Sequence, residues 1–393
     1  MNTPFPHFDG HEMSAAAAIA AVEAYPANAA TPPIFQTSLF TFDNFADMAD
    51  VYAGRSHRLI YSRGDNPTVM EFERLMAALD GAEAARAFSS GMGAIAATVL
   101  AFVSAGDRIV TIRHVYSDAY RMFELLLSEF NVTVDYVDGA DVDAVAAALP
   151  GARLLYLESP SSMVFELQDI AALAQLAREN GVVSVLDNSW ATPVFQKPII
   201  HGVDLVIHAA SKYLGGHSDT VAGIVSGSME HIARINRRTF PYLGAKLSPF
   251  EAWLLIRGLR TLPLRLSHHM KSGVSIAERL KNHPDVRRVF HPIYSNHRGK
   301  GTLHGYSGLF SFEVDDAINV PAFVDALRVF RLGVSWGGPE SLVVPALAPL
   351  QLPEANSFAR FGVSARLIRL HIGFEDVDGL WRDLEQALAQ GRL

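Results

Sequence analysis

The chain has no cysteine among its 393 residues, so it can form no disulfide and offers no thiolate to a metal ion. It also lacks an apolar run of about 18 residues, the length that a membrane-spanning helix needs. Basic residues form no block, and 33 Lys and Arg against 41 Asp and Glu leave a net charge of −8. We therefore expect no membrane span, no nucleic-acid partner and a reducing compartment, the cytoplasm.

Histidine is plentiful, with 15 residues, but its pattern does not indicate a metal site. The pair His268–His269 lies in a predicted helix, where adjacent side chains point about 100° apart. No carboxylate or histidine stands at the spacing that a helical ligand pair needs. The sequence therefore predicts that no metal is bound.

The order of apolar segments predicts an α/β protein with a second, smaller domain. Helical stretches such as Ile170–Glu179 alternate with short apolar runs, which are Arg108–Ile112, Thr133–Val137, Leu154–Leu157, Val182–Leu186 and Val203–Ile207. This alternation predicts a mostly parallel sheet with helices on both faces. A long helix at about Leu264–Lys281 then leads to strands at Gly308–Val314 and Ala365–Ile372, which indicate a smaller α+β domain.

We accordingly divide the chain into three parts. Residues 1–60 lack a periodic core and are predicted to form an extended arm, with a short helix at Ser14–Ala21. Residues 61–256 are predicted to form the large α/β domain, which would bind the cofactor, and residues 257–393 are predicted to form the α+β domain. Since 49 % of the residues are hydrophobic, a chain of this length can build cores for more than one domain.

Lys212 is the residue that first indicates a chemistry. It follows the apolar run ending at Ile207, in a polar, glycine-containing turn that reaches Asp219. A lone lysine at the end of a strand is most often a surface residue. Here hydroxyl and imidazole side chains surround it on a rigid element, which suits an amine that forms a Schiff base.

Asp187 supplies the second indication, because it ends the run Val182–Leu186 on another predicted strand. Pyridoxal phosphate needs a carboxylate against its ring nitrogen, which must stay protonated for the ring to act as an electron sink. In an open α/β sheet, ligands bind at the carboxyl ends of the strands, where Asp187 and Lys212 would meet. Taken alone, Asp187 could equally be a turn or capping residue.

A third indication is the small-residue segment Ser89–Gly93, which opens a predicted helix. Free amides and the positive end of the helix dipole can hold a phosphate there. Gly91, Gly93 and Ala96 also imitate a dinucleotide-binding turn, which keeps a nicotinamide-dependent oxidoreductase as a remote alternative. That site needs an acidic residue after the next strand, and this chain has Arg113 and His114 instead.

These segments together resemble the Cys/Met-metabolism family of pyridoxal-phosphate enzymes, which includes cystathionine lyases, cystathionine γ-synthase, methionine γ-lyase and homoserine-ester sulfhydrylases. The resemblance runs from about Thr31 to the C-terminus. The matching motifs are Tyr61-Ser62-Arg63, Asn66-Pro67-Thr68, Ser90-Gly91-Met92, Tyr116, Asp187-Asn188, Ser211-Lys212-Tyr213, Gly216-His217-Ser218-Asp219 and Leu367-Ile368-Arg369-Leu370-His371-Ile372-Gly373. It implies the aminotransferase-like fold, called fold type I, with a mostly parallel seven-stranded sheet.

The resemblance also assigns roles around the cofactor, pyridoxal 5'-phosphate. It implies that Lys212 forms the Schiff base, that Asp187 pairs with the ring nitrogen, and that Tyr116 stacks on the ring and meets the substrate amine. It implies phosphate contacts from Ser90, Gly91, Met92 and Ser211.

Further roles concern the neighbouring subunit and the substrate. Tyr61 and Arg63 resemble residues that reach the phosphate of another subunit, which implies a homo-oligomer, a tetramer in this family, with shared sites and with the arm against its neighbour. Arg369 resembles the arginine that clamps the substrate α-carboxylate. Ser335 and Trp336 would form the facing wall of the substrate pocket.

Departures from the commonest family pattern point to one branch. Three positions resemble bacterial cystathionine β-lyases. They are Ala209 before the lysine, Ser162 in place of the usual asparagine, and Trp336 in a segment that usually reads Ser-Leu-Gly-Gly. The segment Arg369–Asp378 matches that branch as well, whereas Asn66-Pro67-Thr68 and Pro32-Pro33-Ile34 look more like the γ-branch. We therefore predict a β-lyase that cleaves the amino-acid thioether L-cystathionine to homocysteine, pyruvate and ammonia. A γ-lyase or γ-replacement enzyme of the same family is the alternative.

Overall fold

The fold is known from a computed structural model, which describes residues 25–393. The helix predicted at Ser14–Ala21 lies outside the described residues. The larger of two sheets contains seven strands, which are β1 Ala84–Phe88, β2 Arg108–Ile112, β3 Thr133–Val137, β4 Leu154–Glu158, β5 Val183–Asp187, β6 Leu205–His208 and β7 Gly223–Gly227.

The strands of this sheet lie in the order β1-β7-β6-β5-β4-β2-β3. All of them run in one direction except β7, which is antiparallel to both β1 and β6. The central strands are buried on both faces, which explains their nearly continuous apolar sequences. The predicted seven-stranded, mostly parallel sheet is thus confirmed, although the apolar runs had identified only five of its strands, β2 to β6.

Helices pack against both the large sheet and the smaller one. The α-helices are Phe45–Tyr52, Pro67–Asp80, Gly91–Phe102, Ser117–Arg121, Val142–Ala148, Ile170–Glu179, Thr192–Phe195, Met229–Arg238, Phe240–Leu243, Pro249–Leu259, Leu262–Lys281, Val320–Ala326, Ser357–Arg360 and Val377–Gln390. The helix Ser117–Arg121 continues into a π-helical segment, Met122–Leu127. Short 3₁₀ turns are Pro26–Asn28, Ser128–Phe130, Pro198–His201, Pro292–Tyr294, Arg298–Thr302 and Pro349–Gln351. Within residues 25–393 no helix is both long and apolar enough to span a bilayer.

The smaller sheet has five strands, which are β8 Val286–Phe290, β9 Leu309–Val314, β10 Arg331–Leu332, β11 Leu342–Pro345 and β12 Leu367–His371. Their order is β10-β11-β12-β9-β8, and all neighbours are antiparallel except β10 and β11. Side chains such as Phe310 and Leu370 pack with Leu380 of the last long helix into a separate core. The predicted smaller C-terminal α+β region is therefore present.

The N-terminal arm is not wholly extended, contrary to the prediction for residues 1–60. Asn44 accepts a hydrogen bond from the amide of Asp47 and so caps a helix, Phe45–Tyr52. Phe45 and Tyr52 of this helix are 84 % and 71 % exposed. Contact of this arm with a neighbouring subunit remains a prediction.

Candidate active site

The site residues predicted from the sequence follow the carboxyl ends of the strands that run in one direction. Ser90 comes after β1, Tyr116 after β2 and Lys212 after β6, while Asp187 is the last residue of β5. Glu158 likewise ends β4, in register with Asp187. Because the carboxyl ends of parallel strands meet at one edge of a sheet, the topology brings these residues together.

Lys212 is held in a tight turn and faces the smaller sheet. Its amide donates to the carbonyl of Ala209 at 3.0 Å, and its Nζ donates to Ser335 Oγ at 2.8 Å. The same Nζ lies 5.4 Å from the centroid of the Trp336 ring. Burial, and next the nearby Arg369 charge, lower the pKa of Lys212 to about 8, against the opposing effect of Asp187. A neutral, nucleophilic amine is therefore far more accessible here than on an exposed lysine.

The loop with Ser335 and Trp336 is pressed against the Lys212 turn through Gly337. This glycine has φ +92°, and a Cβ on it would lie 2.7 Å from the amide nitrogen of Tyr213 and 2.8 Å from the carbonyl carbon of Lys212. Only glycine allows so close an approach. The structure thus places both predicted wall residues beside the lysine.

Asp187 is a buried carboxylate at the centre of the strand-end edge. Its Oδ1 accepts a hydrogen bond from the amide of Ser189 at 2.9 Å. Burial raises the pKa of Asp187, while the Ser189 hydrogen bonds and the positive potentials of His208 and Lys212 oppose that rise. A carboxylate taken out of water is stabilised when it meets a cation, and a protonated ring nitrogen is a cation of suitable size and direction.

The start of the helix Gly91–Phe102 has the geometry of a phosphate site. Ser90 accepts from the amide of Gly93 at 2.9 Å, which leaves the first amides, those of Gly91 and Met92, without an acceptor inside the helix. A Cβ on Gly91 would lie 3.0 Å from the Cβ of Ala209, so the helix start touches the segment that carries Lys212. A phosphate bound by these amides would therefore lie next to the lysine.

Ser211 is beside this cradle, but its hydroxyl is engaged elsewhere. The hydroxyl donates to the carbonyl of Ala222 at 3.1 Å and accepts from the amide of the same residue at 2.9 Å. This pair of bonds joins the Lys212 turn to the segment before β7. A phosphate contact from Ser211 remains a prediction.

Hydrogen bonds hold both the backbone and the side chain of Tyr116. Its backbone amide donates to Glu158 Oε2 at 2.6 Å, and its hydroxyl donates to Asp118 Oδ2 at 2.9 Å. Tyr116 as a whole is 41 % exposed, as a residue that offers a surface for stacking must be. Burial, and then the charge and hydrogen bond of Asp118, raise the pKa of the Tyr116 phenol.

Glu158 is a site residue that the sequence analysis did not single out. Burial, and next the adjacent Asp187, raise the pKa of Glu158 well above its usual range, while the amide of Tyr116 opposes the rise. Two adjacent carboxyls disfavour ionisation of each other, so Glu158 and Asp187 form one coupled pair. Its position as an acidic residue ending an apolar strand was the available signal, the same one that identified Asp187.

Arg369 enters the site from the smaller sheet, on β12. Its Nη2 donates to the carbonyl of Val334 at 2.7 Å. Burial lowers the pKa of Arg369 to about 10, and the proximity of Tyr116 opposes that fall. The guanidinium therefore shares one electrostatic environment with Tyr116 and Lys212, although the three come from different elements.

Tyr61 and Arg63 lie apart from this group. Both are exposed, and the Arg63 guanidinium donates to the carbonyl of Pro241 at 2.8 Å and lies 6.0 Å from the Tyr61 ring centroid. Within residues 25–393, no hydrogen bond, ion pair or cation–π contact joins either residue to Lys212. A role in the site of a neighbouring subunit remains a prediction.

Comparison with known proteins decides the family. A family model described as Cys/Met metabolism PLP-dependent enzyme matches residues 15–389. The chain belongs to this family. It is 38 % identical over 370 residues to an L-methionine gamma-lyase of Pseudomonas putida, covering 92 % of each chain. It is 36 % identical over 366 residues to a cystathionine beta-lyase of Lactococcus lactis subsp. cremoris, covering 92 % of this chain and 94 % of that one.

A solved structure of cystathionine gamma synthase from Xanthomonas oryzae pv. oryzae, in complex with aminoacrylate and cysteine, matches with a TM-score of 0.88. That match has 33 % identity and covers 96 % of this chain and 98 % of the other. Family membership establishes pyridoxal phosphate as the cofactor. The amides at Gly91, the buried Asp187 and the Lys212 amine fit the phosphate, the ring nitrogen and the aldehyde of that molecule.

The nicotinamide alternative receives no support from these matches. In the described part of the chain, no group of three or more His, Asp or Glu side chains is placed to hold a metal ion. Relatives of similar identity carry different activities, β-lyase, γ-lyase and γ-synthase among them. Membership therefore establishes a PLP-dependent enzyme of Cys/Met metabolism, and the reaction must be inferred from the site.

Proposed function

We propose that the protein is a carbon–sulfur β-lyase that cleaves L-cystathionine to homocysteine, pyruvate and ammonia. The observation that carries this proposal is Trp336, whose ring centroid lies 5.4 Å from Lys212 Nζ. At this wall position the commoner family residue is leucine, and tryptophan resembles the bacterial β-lyase branch. Its flat apolar surface is suited to pack along the thioether chain of a long substrate.

The residues around Lys212 can bind the substrate and transfer the protons that such a reaction requires. Bound pyridoxal phosphate supplies the electron sink that stabilises negative charge at the substrate Cα. Arg369 would hold the α-carboxylate, and Tyr116 would meet the α-amino group. Lys212, whose pKa is lowered to about 8, would take the Cα proton as a neutral amine. Homocysteine would then leave from Cβ as the thiolate.

The two candidate reactions differ in the protons that they remove. A β-elimination needs one proton removed, at Cα, and Lys212 can act as the base for it. A γ-elimination needs a second proton removed, at Cβ. The β-elimination is therefore the simpler reaction for the residues around Lys212.

The motifs that resemble the γ-branch have a structural explanation. Asn66 donates from its side chain to the carbonyl of Phe35 at 2.8 Å and caps the amide of Thr68 at 3.0 Å. The Thr68 hydroxyl donates to the carbonyl of Pro33 at 3.0 Å. These contacts fasten the arm to the helix Pro67–Asp80, so their similarity to the γ-branch concerns the anchoring of the arm.

The alternative function is γ-elimination or γ-replacement. It is supported by the 38 % identity to an L-methionine gamma-lyase, which is slightly higher than the 36 % identity to a cystathionine beta-lyase. We further infer a homotetramer with shared sites, because Tyr61 and Arg63 are exposed and form no hydrogen bond with their own Lys212. The cysteine-free composition fits the cytoplasm as its compartment.

A product assay on L-cystathionine tests the proposal. The purified holoenzyme should release pyruvate and homocysteine in equal amounts. Release of 2-oxobutyrate and cysteine would instead establish the γ-lyase. Lys212→Ala protein serves as the control for background breakdown.

A further inference from the structure

Asp118 has no part in the function proposed above, yet it contacts a residue of the site. It lies in the first turn of the helix Ser117–Arg121, two residues after Tyr116, and its side chain is exposed. Its Oδ2 accepts the Tyr116 hydroxyl proton at 2.9 Å. This is the only hydrogen bond of that hydroxyl among the described residues, so the Tyr116 O–H bond is oriented toward Asp118.

The groups that face Tyr116 come from four elements. Asp118 lies on the helix that follows it, Glu158 ends β4, Asp187 ends β5 and Arg369 lies on β12. The acidic neighbours outnumber the single cation, and together with burial they raise the pKa of the phenol. A tyrosine in these surroundings retains its proton near neutrality, so it is a poor base when it acts alone.

We propose that Asp118 is a positioning residue that receives, through Tyr116, the proton released by the substrate α-ammonium group. As the substrate N–H bond breaks, its proton passes to Tyr116 Oη. The Tyr116 O–H bond breaks at the same time, and that proton passes to Asp118 Oδ2. The amine becomes neutral, Asp118 becomes a carboxylic acid, Tyr116 is unchanged, and no electrons are gained or lost.

The surroundings of the two carboxyls near Tyr116 distinguish Asp118 from Glu158. Asp118 is exposed, so it can return the proton to water after each turnover. Glu158 accepts a hydrogen bond from the backbone amide of Tyr116 and is half-buried, with its pKa raised well above its usual range. Glu158 therefore holds the backbone of Tyr116, and Asp118 holds its hydroxyl.

The test is Asp118→Asn in the holoenzyme, since an asparagine oxygen can still accept the Tyr116 hydroxyl but cannot take its proton. We expect kcat/KM near neutral pH to fall about 100-fold, within the range of general acid–base effects. The pH profile of kcat/KM should also change in Asp118→Asn, and Asp118→Glu should recover part of the rate. Asp143→Asn, in the first turn of another short helix, is the matched control and should leave activity unchanged.

A second readout needs neither turnover nor cofactor. In cofactor-free protein, the ultraviolet absorbance of tyrosinate reports Tyr116 ionisation once the titration of Tyr116→Phe protein is subtracted. Asp118→Asn removes a negative charge beside the phenol, so Tyr116 should ionise at lower pH than in the wild type. An unchanged titration would show that the hydroxyl does not contact Asp118 in solution and would overturn the proposal.

A purely structural role predicts that Asp118→Asn keeps the wild-type rate and pH profile, and that result would also overturn the proposal. The Asp118 proposal depends on the proposed function in one respect, the placement of a substrate amine beside Tyr116. Every amino-acid substrate carries that amine, so the comparison uses whichever thioether amino acid the wild type cleaves. Failure on L-cystathionine alone would refute the proposed function and leave the Asp118 test intact.

Discussion

Replacing Arg369 with methionine removes the positive charge and keeps a long unbranched side chain on β12. The wild-type guanidinium makes one hydrogen bond to the protein, to the carbonyl of Val334 at 2.7 Å. Its remaining donors are available to a carboxylate, which a guanidinium binds through two parallel hydrogen bonds. The substitution should therefore act mainly on substrate binding and orientation.

The expected loss follows from those two hydrogen bonds. A hydrogen bond to a charged group contributes about 1.5–3 kcal/mol, and part of the gain from two bonds is offset by taking the half-buried Arg369 and the carboxylate out of water. We take a net loss of about 3 kcal/mol. Since about 1.4 kcal/mol corresponds to a tenfold change, kcat/KM should fall by about two orders of magnitude.

The same substitution should change the chemistry of Lys212 in cofactor-free protein. The Arg369 charge helps to lower the pKa of Lys212 to about 8, so its removal should raise that pKa. Only the neutral amine can attack the cofactor aldehyde. The rate of cofactor loading should therefore rise through about pH 8 in the wild type and at higher pH in Arg369→Met.

The assay compares L-cystathionine with S-methyl-L-cysteine, which share the α-carboxylate and differ in the distal group. Both substrates should lose kcat/KM by the same factor in Arg369→Met. Arg382→Met, which removes a surface arginine of the same domain whose nearest carboxylate is 3.8 Å away, is the control and should change neither. A loss confined to one substrate would refute the assignment of Arg369 to the α-carboxylate.

Three further predictions concern the remaining site residues. Lys212→Ala should abolish turnover and still bind some cofactor non-covalently. Absorbance after borohydride treatment and dialysis would show whether any cofactor remains covalently attached. Near-normal turnover would rule out the role assigned to Lys212. Trp336→Leu should change the ratio of kcat/KM between L-cystathionine and S-methyl-L-cysteine, since its ring lies 5.4 Å from Lys212 Nζ, and an equal loss on both would contradict a role in selectivity. Mixing inactive Arg63→Ala and Lys212→Ala protomers should restore partial activity, because some hybrid sites then contain both the intact arginine and the intact lysine. No recovery despite verified subunit exchange would argue against shared sites.

The central strands and the residues at their ends could be predicted from the sequence because their signals are local. A strand buried on both faces is a continuous apolar run, and a polar residue directly after it stands at the carboxyl edge. This holds for Asp187 and Lys212. The small residues before the helix Gly91–Phe102 are local in the same way, because a helix start requires no distant partner to expose its amides.

The strands β1 and β7 escaped prediction because their stability comes from pairing. β1 reads Ala84-Ala85-Arg86-Ala87-Phe88, which is rich in the best helix former, and β7 is short with glycine at both ends. Each is stabilised by the other, over five registered residue pairs. Strand preference depends on cross-strand neighbours more than on intrinsic propensity, so neither sequence indicates a strand by itself.

The least predictable part of the site is the set of contacts between separate elements. Tyr116 gains its properties from Asp118 beside it, from Glu158 on β4 and from Arg369 on the other sheet, and no spacing in the sequence relates these positions. Asp118 is also a conventional residue for the first turn of a helix, where negative charge is favourable. Its hydrogen bond to Tyr116 is what separates that ordinary explanation from the proposed role in proton transfer, because a carboxylate needed only for the helix dipole would not have to contact the hydroxyl that we propose meets the substrate amine.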